Sequence, residues 1–80
     1  MEYKPGTLGE LRALLAAELK ELDSPLLEAD LILAHYAGKD RAWVHAHLPD
    51  AAPGELAEAA LSACARRKAR EPLQYILGCC

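Results

Sequence analysis

Leucine and alanine recur at steps of three and four residues along most of the chain, with charged residues between them. The segment TLGE is a capping box, in which the Thr7 hydroxyl accepts from the amide of Glu10 and the Glu10 side chain reaches back. The apolar stripe that follows is made by Leu8, Leu11, Leu14, Leu15, Leu19 and Leu22. This pattern predicts an amphipathic helix from about Leu8 to about Leu22.

A second helix is predicted after the segment DSP. Ser24 is a good N-cap residue, and Pro25 suits the first helical position, where its missing N–H costs nothing. This helix should run to about Ala37, and Gly38 should supply a left-handed end. Its sequence is apolar almost all round, which is typical of a central helix with neighbours on several sides.

Three shorter elements complete the pattern. Asp40 is the N-cap of a predicted third helix, RAWVHAHL, which Pro49 ends. After the loop PDAAPG, Pro53 can open a fourth helix that ends near Arg70. One broad face of it carries Leu56, Ala57, Ala60, Leu61 and Cys64, and the other carries Glu55, Glu58, Ser62, Arg66 and Arg70. A last turn or two should lie between Pro72 and Gly78.

The fold class predicted is therefore all-α, a small bundle of four to five short helices. We expect an N-terminal tail over residues 1–6, a helical domain over residues 7–78, and a truncated terminus at residues 79–80. Abundant Ala and Leu, scarce Val and Ile, and the absence of Phe all favour helix over strand.

The net charge and the cysteine content limit the classes of protein to which this chain can belong. The net charge is −3, with −4 in residues 1–51 and +1 in residues 52–80, which does not suggest a nucleic-acid-binding domain. The three cysteines show no zinc-ligand spacing, so reduced thiols in a cytoplasmic protein are expected. The N-terminus is not a signal peptide, and no apolar run reaches the roughly 20 residues that a membrane span needs.

Polar residues on the central helix have two interpretations. Glu28 and His35 lie seven residues apart on one face. They form an acid–base pair or, as we favour, a structural hydrogen bond or salt bridge that satisfies polar groups near the core and can include Arg41. Asp30 faces an apolar sector and is interpreted as compensating the helix dipole, with a local partner.

Two further features could bind a partner. Trp43 can be an exposed anchor, but in a core without phenylalanine we favour it as a large filler. The cluster ARRKAR is either a docking patch for an acidic partner or RNA, although not a specific nucleic-acid site, or a group of ordinary cations that the dipole favours near a helix C-terminus. The stem of Arg67 should lie over the core, whereas Arg66 and Arg70 share an exposed face and are the candidate partner-binding residues. No catalytic, cofactor or metal site is expected in this chain.

Taken in order, the stretches DSPLLEADLILAHYAGKDRAWVHAHL and ARRKAREPLQYILG resemble the N-terminal domain of the HemK/PrmC family, the protein-(glutamine-N5) methyltransferases of peptide chain release factors. The resemblance extends from about Leu8 to Gly78. The family often has Asp where this chain has Glu28, and usually has charged residues where it has Cys79 and Cys80.

The resemblance implies a non-catalytic domain that helps to hold the release factor. S-adenosylmethionine would bind in a separate C-terminal methyltransferase domain, which would methylate the glutamine of the factor's Gly-Gly-Gln loop. Two alternatives are a purely structural domain and a standalone helical interaction module.

Overall fold

The computed structural model describes residues 6–78 of the 80-residue chain. They form five helices, α1 (Leu8–Glu18), α2 (Pro25–Ala37), α3 (Arg41–Ala46), α4 (Gly54–Lys68) and α5 (Leu73–Ile76). Within this range there is no strand, only an isolated antiparallel bridge between Thr7 and Ala51. The predicted small all-α bundle is confirmed. Most of the predicted tail and the predicted truncated terminus lie outside the described residues.

The backbone N–H groups at the start of α1, which have no acceptor within the helix, all find one elsewhere. The capping box forms as predicted: the Glu10 amide donates to Thr7 Oγ1 at 3.1 Å, and the Thr7 amide donates to Glu10 Oε1 at 3.0 Å. The amides of Leu8 and Gly9 donate to the carbonyl oxygens of Asp50 and Leu48, at 2.9 and 2.8 Å. The first turn of a helix has no partners of its own for these groups, so α1 is fixed against the loop that follows α3.

Helix α2 is central, as its apolar sequence predicts, and packs against α1, α3 and α4. Pro25 is its first residue, and Gly38 ends it at φ +71°. Ser24 occupies the predicted N-cap position, although its side chain makes no capping hydrogen bond.

Three predicted helix ends were too long. Helix α1 ends at Glu18 instead of Leu22, α3 ends at Ala46 instead of Leu48, and α4 ends at Lys68 instead of Arg70. Leu19 is nevertheless fully buried, and Leu22 packs against the core. The spacing of apolar residues shows which side chains reach the core. A turn that follows a helix can direct such side chains into the core just as a further helical turn would.

The core lies between α1, α2 and α4, with Val44 of α3 and Ile76 of α5 closing its ends. Its largest fully buried apolar side chains are Leu8, Leu11, Leu15, Leu19, Ile32, Leu33, Val44 and Cys64. Glu28 near the start of α2 pairs with Arg67 near the end of α4, so these two helices run antiparallel. This packing places the end of α4 beside the start of α2.

Candidate protein-interaction site at the end of α4

Four cations lie at the end of α4, and we call them the basic corner: Arg66, Arg67, Lys68 and Arg70. The helix ends in a Schellman motif, in which the amide of Glu71 donates to the carbonyl of Arg66 and that of Arg70 to the carbonyl of Arg67. This motif needs a left-handed residue, and Arg70 fills that position at φ +73°. Gly38 makes the same turn at the end of α2, where glycine carries no steric cost.

Three of the four cations are held by carboxylates within the domain. Arg66 Nη2 lies 2.8 Å from Glu71 Oε2, and Lys68 Nζ lies 2.7 Å from Glu18 Oε1. Arg67 Nε lies 2.6 Å from Glu28 Oε1, and its Nη1 donates to the carbonyl of Glu71 at 3.1 Å. The half-buried Arg67 therefore joins α2, α4 and the segment before α5. That its stem lies over the core stays a prediction.

Hydrogen bonds between cations and carboxylates shift the pKa values of Arg66, Lys68 and Glu18 in the direction that favours their charged forms. The bond to Glu71 raises the pKa of Arg66, and the bond to Glu18 raises the pKa of Lys68. The same bond to Lys68 lowers the pKa of Glu18. These groups are exposed, so the pairs orient side chains rather than stabilise the fold greatly.

Arg70 differs from the other three cations. It is exposed, and among residues 6–78 it has no ion-pair partner. It lies at the edge of a shallow depression of about 300 Å³, to which Lys68 and residues 17–22 also contribute. The cationic charge that remains for a partner at the basic corner is therefore that of Arg70.

The expected shared face of Arg66 and Arg70 requires a correction. It assumed a helix that continues through Arg70, whereas the chain has left the helix and turned left-handed at that residue. Both side chains are exposed, but the guanidinium of Arg66 already binds Glu71. Neither residue's role as a partner contact is decided by this geometry.

The favoured structural interpretation is confirmed for Glu28, which forms a salt bridge, whereas the acid–base pairing of Glu28 with His35 is wrong. Glu28 binds Arg67, 39 positions away, and His35 is exposed with its ring edge-on to Tyr36 at 5.0 Å. Arg41 was expected near this pair but lies 3.6 Å from Asp30 instead. No periodicity within one helix could show a partner on another helix.

Asp30 is the one charged residue among residues 6–78 that is fully buried. It accepts from Arg12 Nε at 2.5 Å, and His45 Nε2 lies 2.9 Å from its other oxygen. Burial opposes ionisation, but the hydrogen bonds with Arg12 and His45 outweigh it, so the pKa of Asp30 is lowered. The interpretation as dipole compensation is wrong, because Asp30 lies beyond the first turn of α2 and its partners lie on α1 and α3.

Trp43 fits neither interpretation alone. It is half-buried and packs against the core, while its ring stacks on His47 with 4.3 Å between centroids. The two histidines of this segment have different partners, since His45 binds Asp30 and His47 lies against the carbonyl of Trp43.

Residues 6–78 were also compared with the requirements of a metal site and of a membrane-spanning helix. They contain no cluster of three or more residues that could hold a metal ion. None of their helices is long and apolar enough to cross a membrane.

Comparison with known proteins gives one positive result. The family model described as PrmC N-terminal domain matches residues 10–78, which is most of the chain. No curated protein matches, and no solved structure matches. The matched range includes α2 to α5 and ends at the left-handed Gly78.

Proposed function

Because the chain belongs to the PrmC N-terminal domain family, we propose that it is the non-catalytic domain of a release factor glutamine methyltransferase. In this proposal it helps to bind and orient the peptide chain release factor in the cytoplasm. A methyltransferase domain then methylates the glutamine of the factor's Gly-Gly-Gln loop. A second contact surface of this kind raises the effective concentration of a large protein substrate at the active site.

The observation that carries the proposal is the state of Arg70. An arginine in the left-handed conformation is strained, and strained residues concentrate at functional sites. Arg70 also keeps its charge exposed while its three neighbours bind carboxylates of the domain itself. We therefore propose that the basic corner contacts an acidic surface of the release factor, with Arg70 as the main contact and Arg66 as the second.

The cofactor of the proposed reaction is the methyl donor S-adenosylmethionine. Its sites in doubly wound folds place a glycine-rich turn between a strand and a helix. Residues 6–78 form five helices and no strand. We assign the cofactor to the methyltransferase domain and derive no catalytic step from the residues described.

The test is an amide NMR titration of this chain with unlabelled release factor. Shifts should form one patch around residues 66–71. Arg70→Glu should weaken binding about fivefold, as loss and reversal of one exposed charge contact would. Lys39→Glu is the matched control, because Lys39 is also exposed and directly follows the left-handed end of a different helix. No shifts at saturating factor, or equal effects of the two reversals, would count against the proposal.

A purely structural domain is the second candidate. In this alternative the domain packs against the methyltransferase domain, and Tyr75 on α5, which is 71% exposed, is the proposed contact. On this alternative, Tyr75→Ser should weaken association with the methyltransferase domain, and the release factor should shift no amides at residues 66–71 of the native chain. Loss of factor binding in this variant, with normal domain association, would reject the structural role for Tyr75.

A further inference from the structure

A groove lies at the opposite end of α4 from the basic corner. Its volume is about 460 Å³, within the range of small binding sites. We call it the aromatic groove, and its apolar lining includes Tyr36, Ala37, Trp43, Pro53, Leu56 and Ala59. Helix α4 has 15 residues, so about 20 Å of helix separates the aromatic groove from the basic corner.

The aromatic groove is held in shape by hydrogen bonds and stacking. The Trp43 amide donates to Asp40 Oδ1 at 2.8 Å, and its carbonyl lies 2.7 Å from His47 Nδ1. The same His47 ring stacks on the indole. A ligand therefore meets an aromatic side chain that is already ordered, which lowers the entropic cost of binding.

The charge of the aromatic groove has one sign. Among residues 6–78, Asp50 and Glu55 line it, and no lysine or arginine of that range does. Both acids are exposed, and neither forms an ion pair within residues 6–78. Tyrosine and tryptophan faces also attract cations. An apolar surface beside unpaired acids complements an apolar group beside a cation.

We propose that the aromatic groove docks a protein segment in which a large apolar side chain lies next to a lysine or arginine. The apolar side chain contacts the Tyr36 and Trp43 surface, and the cation lies near Asp50 and Glu55. This site goes beyond the proposed function, because it differs from the basic corner in place, charge and ligand.

Two blocked pentapeptides test the proposal, Gly-Lys-Phe-Lys-Gly and Gly-Glu-Phe-Glu-Gly. Binding is followed by amide NMR and by the fluorescence of Trp43, the single tryptophan of the chain. The lysine peptide should shift amides around Tyr36, Trp43 and Ala59 and bind roughly fivefold more tightly than the glutamate peptide at low salt. Equal affinities, or shifts elsewhere, overturn the proposal.

Charge reversal within the aromatic groove makes the test specific. Glu55→Lys should abolish the preference for the lysine peptide, because the new cation offsets the charge of Asp50. Glu58→Lys is the matched control, since Glu58 is exposed on the same helix and does not line the groove. An unchanged preference in Glu55→Lys, or the same loss of preference in Glu58→Lys, overturns the proposal.

Two more variants distinguish the aromatic groove from the basic corner and from an intramolecular docking site. Arg70→Glu should leave peptide binding unchanged, so this proposal and the proposed function can fail independently. A chain that lacks residues 1–5 should bind the lysine peptide with unchanged affinity. A large gain in affinity would show that the chain's own N-terminal segment is the occupant, and it would overturn the proposal.

Discussion

At the scale of single residues, we expect Arg70 to lower the stability of the fold through its backbone conformation and to provide a contact with the release factor. Arg70→Gly removes the steric cost of the left-handed conformation, about 1–2 kcal/mol, and part of this gain is offset by the greater freedom of glycine in the unfolded chain. We expect a net gain of about 1 kcal/mol, seen in urea unfolding as a higher midpoint with an unchanged slope. Arg70→Ala is the control, since it removes the same charge but keeps the Cβ.

Arg70→Gly and Arg70→Ala should differ in their free energy of unfolding but weaken release-factor binding to the same extent. If both weaken release-factor binding while only the glycine variant is stabilised, the arginine is retained for its contact. Equal stabilities of the glycine and alanine variants would show that Arg70 carries no backbone strain.

Asp30 is the second residue with a large expected effect. Asp30→Asn preserves size but leaves Arg12 partly buried without its carboxylate, and Arg41 and His45 lose the same partner. We expect a loss of about 2–4 kcal/mol at pH 7. Asp23→Asn is the control, because Asp23 is exposed and forms no ion pair within the described range.

The pH dependence of stability identifies the same carboxylate. The pKa of Asp30 is lowered by folding, so its ionised form stabilises the fold above the unfolded-chain value of about 3.9. That contribution is lost as the pH falls through the folded pKa. The difference in unfolding free energy between the native chain and Asp30→Asn should therefore shrink below about pH 4. A constant difference down to pH 2 would place the effect of the substitution in packing.

At the scale of helices, two glycines test how α1 is fixed. A Cβ at Gly9 would lie 3.2 Å from the carbonyl oxygen of Leu48, the same atom that accepts the Gly9 amide. A Cβ at Gly54, the first residue of α4, would meet nothing within 4 Å. Gly54→Ala should stabilise the chain by about 0.4–1 kcal/mol.

Gly9→Ala should instead destabilise it, because the crowded atom belongs to a backbone that cannot retreat without losing hydrogen bonds to α1. Thermal and urea unfolding of the two variants provide the comparison. Stabilisation by both would show that the loop after α3 yields easily.

Helices were predictable from sequence where a local signal exists. The capping box at Thr7, the N-cap at Asp40 and the left-handed end at Gly38 each depend on residues a few positions apart, and all three form. The end of α4 was missed because its left-handed residue is an arginine, which carries no local signal for that conformation. The ion pair of Glu28 with Arg67 was missed because its partners meet only through helix packing.

The candidate site was predictable in composition but not in geometry. The cluster ARRKAR is visible in the sequence, and Arg66 and Arg70 are exposed as expected. Which cation keeps a free charge depends on carboxylates from α1, α2 and the segment before α5. Those distances are set by the fold, so periodicity alone could not rank Arg70 above Arg66.

At the scale of the whole molecule, residues from all five helices form one core cluster. Cys64 reports on this core, because it is buried on α4 and its Sγ donates to the carbonyl of Leu15 on α1 at 3.9 Å. Burial, with a smaller effect from Glu18, raises the pKa of its thiol to about 11. The reactive thiolate is therefore scarce while the core is closed.

We expect Cys64 to react with iodoacetamide only when the whole bundle opens. A variant with Cys79→Ser and Cys80→Ser leaves Cys64 as the single thiol. Its labelling rate at pH 8 should rise with urea along the slope of global unfolding, because α1 and α4 must separate to expose it. A rate independent of urea at low concentrations would show a local opening at the end of α4. In that case the basic corner could move apart from the core, and its contact with a partner would be adjustable rather than rigid.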